Sequence, residues 1–302
     1  MTFVPNYAIF NWFKFFLLSE NMIRERIADN VYWFQSEIYA QVTAGAIIGS
    51  EWAVLVDTLV VPDETLEMRA YIEENLGLRV RYIINTIYHA DHTFGNSFFP
   101  GAVVIGHTLT RQLMKEHNYE ALESTRKHDA SFKRVQVVLP GITFDSGTLS
   151  LQIGKRHIKV FPTPGSSPDG ISVLVREDRV LFAGDAFMPL PLIVEGEVDE
   201  LSETIRRIGR MSLENIVQGH GDVVLRGEID QAVKSNLDYL GALKKAAKTA
   251  AKKKDPMPVL EEMTVEACGK SRVLLGGLVA ELHQRNLSVL YRREKEALEA
   301  ES

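Results

Sequence analysis

The stretch NTIYHADHTFGN (residues 85–96) holds His89, Asp91 and His92 within four consecutive positions, directly after the apolar run RVRYII. Imidazole and carboxylate side chains at this density are candidate ligands for a divalent ion. A single histidine in a loop, by contrast, is more often a cap or a hydrogen-bonding group. Ile87 stands two residues ahead of His89, and its side chain cannot coordinate. The run before the cluster reads as a buried strand, and strand ends are where a scaffold presents loops that are anchored yet free of the ladder.

Three more places share that character. They are the loop FPTPGSSPDG after HIKV, Asp185 at the end of VLFAGD, and His220 in IVQGHG. Glycines beside Asp185 and His220 allow close backbone approach. Around them the chain alternates short β-type runs (VYWFQ, YAQVTAGAIIG, WAVLVDT, AVVIGH) with helical ones. PDETLEMRAYIEENLG opens with Pro62 and the acids Asp63 and Glu64, which is helix-start chemistry. Residues 109–135 are expected to be helical and charged. Residues 136–165 are expected to return to β hairpins, and ISVLVREDRVLFAGD to form a hairpin turning at Glu177 and Asp178. ELSETIRRIGRM reads as a helix, and the chain beyond Glu228 as mostly helical.

The 302 residues carry a net charge of -6, which disfavours sequence-independent binding of phosphate backbones and points to a small-molecule partner rather than nucleic acid. Cys268 is the one cysteine, so no intrachain disulfide or CxxC site can form, in keeping with a reducing cytoplasm. Any metal must therefore be held by histidine and carboxylate. The aromatic segment from Phe3 to Glu20 is too interrupted to span a bilayer, which takes about 20 apolar residues, and has Lys14 inside the run rather than before it. Secretion and stable membrane insertion are disfavoured. The segment reads as an arm on a partner subunit, an amphipathic surface segment, or an extension upstream of Met22. The basic run KKAAKTAAKKKDPMP (residues 244–258) reads as a solvated helix face. The expected organisation is an extension at 1–21, a catalytic domain at 22–227 and a helical extension at 228–302, with a homo-oligomer compatible with the helical tail.

The order and spacing of these groups resemble the metallo-β-lactamase fold superfamily, whose signature is HxHxDH, then a lone His, a lone Asp and a late GHG-type His. The resemblance covers about Ile27 to Arg226 and includes Asp57 at the end of WAVLVDT. It implies an α+β fold: an αβ/βα four-layer sandwich with two mixed sheets face to face, helices outside, and additional C-terminal helices. It also implies two metal positions. Ile87 stands where the first histidine of the signature falls, and Ser166 where the loop histidine falls. Both losses strike the first position, which keeps His89 and a share of Asp185. The second keeps Asp91, His92, His220 and the other share of Asp185. The resemblance so mapped implies a mononuclear site, with zinc the leading ion and iron or manganese compatible with the donors.

The expected activity is a metal-dependent hydrolase in which a metal-bound hydroxide attacks an ester, thioester, lactone, amide or activated aryl carbon. His89 and Asp91 are the catalytic candidates, with His89 either a base, a donor to an oxyanion or a ligand. Asp57 is expected to orient the ligands. Phe94, Phe98, Phe187, Met188 and Leu190 flank the ligands in sequence and predict an apolar pocket mouth for a small apolar or aromatic substrate. His107, His117, His128, His157 and His283 read as surface residues. Two other readings stay open: an inactive ligand-binding or regulatory protein with a structural metal, and a nuclease of the same fold.

Overall fold

The computed structural model describes residues 22–300, so the expectation for residues 1–21 lies outside the described residues. The chain opens with four strands: β1 (Ile23–Ala28), β2 (Val31–Gln35), β3 (Thr43–Ile48) and β4 (Trp52–Val56). Then come α1 (Pro62–Ala70), β5 (Arg79–Ile84), the short α2 (Ala90–Thr93), β6 (Val103–His107), α3 (Thr108–Leu113), α4 (Tyr119–His128) and β7 (Ile142–Phe144). These seven strands form one sheet in chain order, antiparallel through β4 and parallel from β4 to β7.

A second, six-stranded sheet holds β8 (Leu149–Ile153), β9 (Arg156–Pro162), β10 (Ile171–Val175), β11 (Val180–Gly184), β12 (Asn215–Gln218) and β13 (Val224–Leu225). Its one parallel pair is β11 with β12, joined through α5 (Val198–Gly209). The helices α6 (Ile229–Ala251), α7 (Met257–Glu262) and α8 (Val279–Ala300) follow.

The near-continuous apolar strands are explained by two-sided burial. In β4, Val54 and Val56 face the second sheet while Ala53 and Leu55 face the outer helices. In β11, Val180 and Phe182 face inward while Leu181 and Ala183 face α5 and α6. The inner layer is close: a Cβ on Gly45 would overlap the ring of Phe182 from the opposite sheet. The outer layer of the first sheet packs Met68, Ile72, Phe94 and Leu122. That of the second packs Leu201, Ile205, Tyr239, Leu243 and Leu282. The sandwich with helices on both faces and further C-terminal helices is therefore present. Among the described residues no helix is long and apolar enough to cross a membrane.

Several local expectations need correction. β1 was not expected; its sequence IRERIA is a charged edge strand with only half-buried apolar residues. Residues 136–165 do not form a single run of hairpins: β7 joins the first sheet, parallel to β6, after a helical crossover, and only β8 and β9 pair as a hairpin. His283 is not a surface residue. It lies fully buried in α8, beside the Tyr239 hydroxyl (3.3 Å) and the Met263 carbonyl (2.6 Å). His107 is buried too, and caps α3 by accepting from Leu109 N.

Candidate metal centre

The site lies where two parallel strand pairs end. β4 and β5 run side by side in one sheet, β11 and β12 in the other, and all four carry their chemistry just past the C-terminal end. Hydrogen bonds tie these ends together across the sandwich: Ile171 N donates to Thr86 O (2.9 Å) and Thr43 N to Gly219 O (2.9 Å). Gly184 and Gly219 are required there. A Cβ on Gly184 would overlap Thr86, and one on Gly219 would overlap the Asp185 carboxylate.

The structure brings together all five histidines and aspartates that the sequence singled out. Asp91, His92 and His220 each offer one ligand atom, all within 4.8 Å of one another. Asp185 stands between the two sides. Its Oδ1 lies 3.3 Å from His92 Nε2 and 3.6 Å from His220 Nε2, and its Oδ2 lies 3.4 Å from His89 Nδ1. His220 Nε2 is also 3.4 Å from Asp91 Oδ2.

The outer nitrogen of each imidazole has a partner that can only accept. His92 Nδ1 meets Asp57 Oδ2 at 3.0 Å, His220 Nδ1 meets the Ala40 carbonyl at 2.9 Å, and His89 Nε2 meets Glu195 Oε2 at 3.2 Å. Each outer nitrogen therefore carries the proton, and each inner nitrogen of a neutral ring presents a lone pair to a carboxylate. Two acceptors that face each other at this distance require a cation between them. His92 Nε2 and Asp185 Oδ1 are moreover buried with no hydrogen-bond partner, a costly state for groups aimed into a dry site. A divalent ion satisfies these atoms, so the donor set fits the metal that the resemblance implies.

Burial opposes charge on His89, but the carboxylates of Glu195 and Asp185 outweigh it and raise the imidazole well above its ordinary range. His92 is raised in the same way, against its burial, by Asp185 and Asp57. Asp185 is buried, which alone would raise it, yet the facing imidazoles hold it well below the usual carboxylate range.

Asp57 orients the site as expected. Its carboxylate accepts from Thr86 N (2.8 Å) and Thr86 Oγ1 (2.6 Å) as well as from His92. Ile87 is 1% exposed and packs with Tyr88 and Met114 in a small apolar cluster. Ser166 is buried, and its hydroxyl has no hydrogen-bond partner.

The expectation of an apolar mouth is overturned. Phe94 and Phe98 belong to the outer core of the first sheet, and Phe187, Met188 and Leu190 to that of the second. Loops at strand ends turn their apolar residues back onto the helices, so closeness in sequence to a ligand does not place a side chain at the opening. The open side carries His89, Asp91 and Glu195, whose side chains are 20%, 17% and 28% exposed. Glu195, Tyr88 and Tyr39 were missed from sequence. Tyr88 Oη donates to both Glu195 oxygens at 2.9 Å. Burial, then the charges of Asp91 and Asp185, raise the Tyr39 hydroxyl well above its usual range. The only available signal was the position of Tyr88 next to His89, because Glu195 in EGEVDE looks like ordinary helix-start acid.

Comparison with known proteins agrees with this fold. The chain is 24% identical over 163 residues to "Beta-lactamase-like protein 2 homolog" of Caenorhabditis elegans, a match covering 53% of this chain and 47% of that protein. It is 24% identical over 222 residues to "Acyl-coenzyme A thioesterase MBLAC2" of Homo sapiens, covering 64% of this chain and 79% of that one. Among solved structures, a metallo-beta-lactamase from Pontibacter korlensis superposes with a TM-score of 0.59 at 20% identity, covering 71% of this chain and 98% of that one. The sequence model of the metallo-beta-lactamase superfamily matches residues 40–248, which span every strand end that carries the site. The chain belongs to the metallo-beta-lactamase superfamily of hydrolases.

Proposed function

We propose that this hydrolase cleaves acyl thioesters with a single divalent ion, zinc, held by Asp91, His92, His220 and Asp185. The observation that carries the metal dependence is the convergence of histidine lone pairs on the buried Asp185. Nitrogen and carboxylate donors without a thiolate suit zinc, with iron and manganese as the other compatible ions. The single-ion reading is supported by Ile87, which is committed to an apolar cluster, and by Ser166, a poor ligand beside imidazole. The thioester class is supported by the human relative and its counterpart from Bos taurus, both named acyl-coenzyme A thioesterases.

A divalent ion bound there supplies water acidic enough to act as a nucleophile near neutral pH. The residues do the rest. Asp57 and the Ala40 carbonyl hold His92 and His220 with their protons outward, so both Nε2 atoms stay free to ligate. Asp185 is buried and offers its two oxygens in two directions. Asp91, on the open side, is placed to accept the proton of an incoming water at a carboxylate oxygen. A small-molecule substrate reaches this side past His89 and Glu195. The cytoplasmic setting expected from the lone Cys268, which is a buried free thiol, belongs to the same proposal.

The test is hydrolysis of acyl-coenzyme A esters of graded chain length, followed by thiol release, with metal content measured on the same sample. The zinc-loaded protein is expected to turn over at least one chain length, with activity abolished by chelation and by His220→Ala. Turnover unchanged by chelation would refute the metal dependence. A fully loaded protein that cleaves none of these thioesters would refute the substrate class.

A further inference from the structure

Glu195 does for His89 what Asp57 does for His92 and the Ala40 carbonyl does for His220, but it is held differently. Asp57 follows a central strand, and Ala40 pairs its loop with the His220 segment. Glu195 lies in the connection between β11 and α5, a segment with no ladder of its own.

That segment is fixed by tertiary contacts. Arg293 of α8 donates to the Val194 carbonyl at 3.0 Å and to the Gly196 carbonyl at 2.6 Å, gripping the chain on both sides of Glu195. Glu197 N donates to Gly165 O at 3.0 Å, and a Cβ on Gly196 would overlap that same carbonyl, so the backbone can sit there only as glycine. Tyr88 Oη, donating to both carboxylate oxygens at 2.9 Å, then sets the plane of the Glu195 head group.

From this arrangement we infer that Glu195 is a positioning residue for His89, and that the C-terminal helix α8 acts on the metal centre through it. With Nε2–H donating to Glu195, His89 keeps Nδ1 as a lone pair aimed at Asp185 Oδ2, 3.4 Å away. His89 is thereby assigned as a further ligand rather than as a free base. Ile87 and Ser166 stand at the other two places of the first metal position, so among the described residues the polar partners of the His89 ring are Glu195 and Asp185, with Tyr88 packed edge-on against it. The inference rests on the metal-dependent reading proposed above.

The test is metal affinity, with activity left aside. Cobalt(II) binding to the purified full chain is measured by competition with a chromogenic chelator, and the visible spectrum of the cobalt protein is recorded. Loss of an outer partner of a ligating histidine weakens metal binding about 10–100-fold, and this loss is expected for Glu195→Ala, together with a changed spectrum. Glu195→Gln, whose amide oxygen still accepts from Nε2–H, is expected to recover most of the affinity. Arg293→Ala, remote from the ion, is expected to reproduce part of the loss, and supplies the same test should Glu195→Ala not fold. Wild-type affinity and spectrum in folded Glu195→Ala, with only thermal stability reduced, would overturn the inference and leave the proposed function standing. A wild-type protein that binds no cobalt or zinc would overturn both.

Discussion

Replacing Asp57 with Asn tests the tautomer argument on which the site rests. Asp57 has φ = +58°, a left-handed conformation that Asn tolerates about as well as Asp, so the backbone gains no new strain. The carboxylate accepts from Thr86 N at 2.8 Å, Thr86 Oγ1 at 2.6 Å and His92 Nδ1 at 3.0 Å. An amide keeps one accepting oxygen, which stays on the fixed Thr86 N–H, and puts an NH2 group opposite the other two donors. The Thr86 hydroxyl can rotate away, but His92 is fully buried and cannot. Its proton must move to Nε2, which faces Asp185, and the lone pair that would hold the ion is lost. Zinc affinity is expected to fall about 10–100-fold, equivalent to ~1.4–2.8 kcal/mol. The variant Asp57→Ala removes all three acceptor contacts. It leaves Thr86 N–H and His92 Nδ1–H unpaired at about 1–3 kcal/mol each, and adds ~1–2 kcal/mol for alanine in the left-handed region. That is a large part of the about 5–15 kcal/mol by which a domain is stable. Chelator competition reads the first variant, and urea unfolding of the metal-free protein reads the second. Wild-type zinc affinity in Asp57→Asn would refute the reasoning, because the outer partner of His92 would then have no bearing on its inner nitrogen.

Gly219→Ala drives a methyl group into the Asp185 carboxylate and the Gly184–Asp185 backbone; expected is loss of metal binding with reduced stability, read by metal analysis beside thermal unfolding followed by circular dichroism. Zinc at 100 times its dissociation constant stabilises by about 2.7 kcal/mol, so calorimetry is expected to show a higher unfolding temperature with zinc than with chelator, and a midpoint indifferent to both would count against the site. Lys270 is buried, donates to Asn236 Oδ1 at 2.6 Å, and burial lowers its ammonium to about 8. Between that value and the unfolded value of 10.5 the unfolded chain binds the extra proton. The Lys270 contribution to stability is therefore expected to rise with pH across this window, by about 3 kcal/mol in full, while the buried Cys268 thiol, raised from 9.0 to about 11, opposes it above about pH 9. Urea titrations at a series of pH values check this as the difference between wild type and Lys270→Met, which should show the rise once the shared Cys268 effect cancels.

Much of the fold could be read from apolar runs, because strands buried on both faces carry apolar residues at nearly every position. VYWFQ, WAVLV and VLFAG are of this kind, and all three are core strands. Edge strands lack that signal. β1 is charged, and β7 has three residues that are exposed or half-buried, so one was missed and the other misassigned. His283 was misread for the converse reason: a charged helical context does not reveal that one face of α8 packs on α6.

The sequence by itself singled out the candidate donors, His89, Asp91 and His92 after β5, Asp185 after β11 and His220 after β12, with glycines that leave room for them. Spacing along the chain carries that information because ligands at strand ends move with the strands. Only the tertiary structure decided how each imidazole is turned. The outer partners come from Asp57, Ala40 and Glu195, which are 35, 180 and 106 residues away from His92, His220 and His89. A hydrogen bond between such distant residues has no local signature. It exists because two sheets close on each other and α8 grips the loop that carries Glu195. The same closure turned the neighbouring aromatics into the core and left a polar rim at the opening.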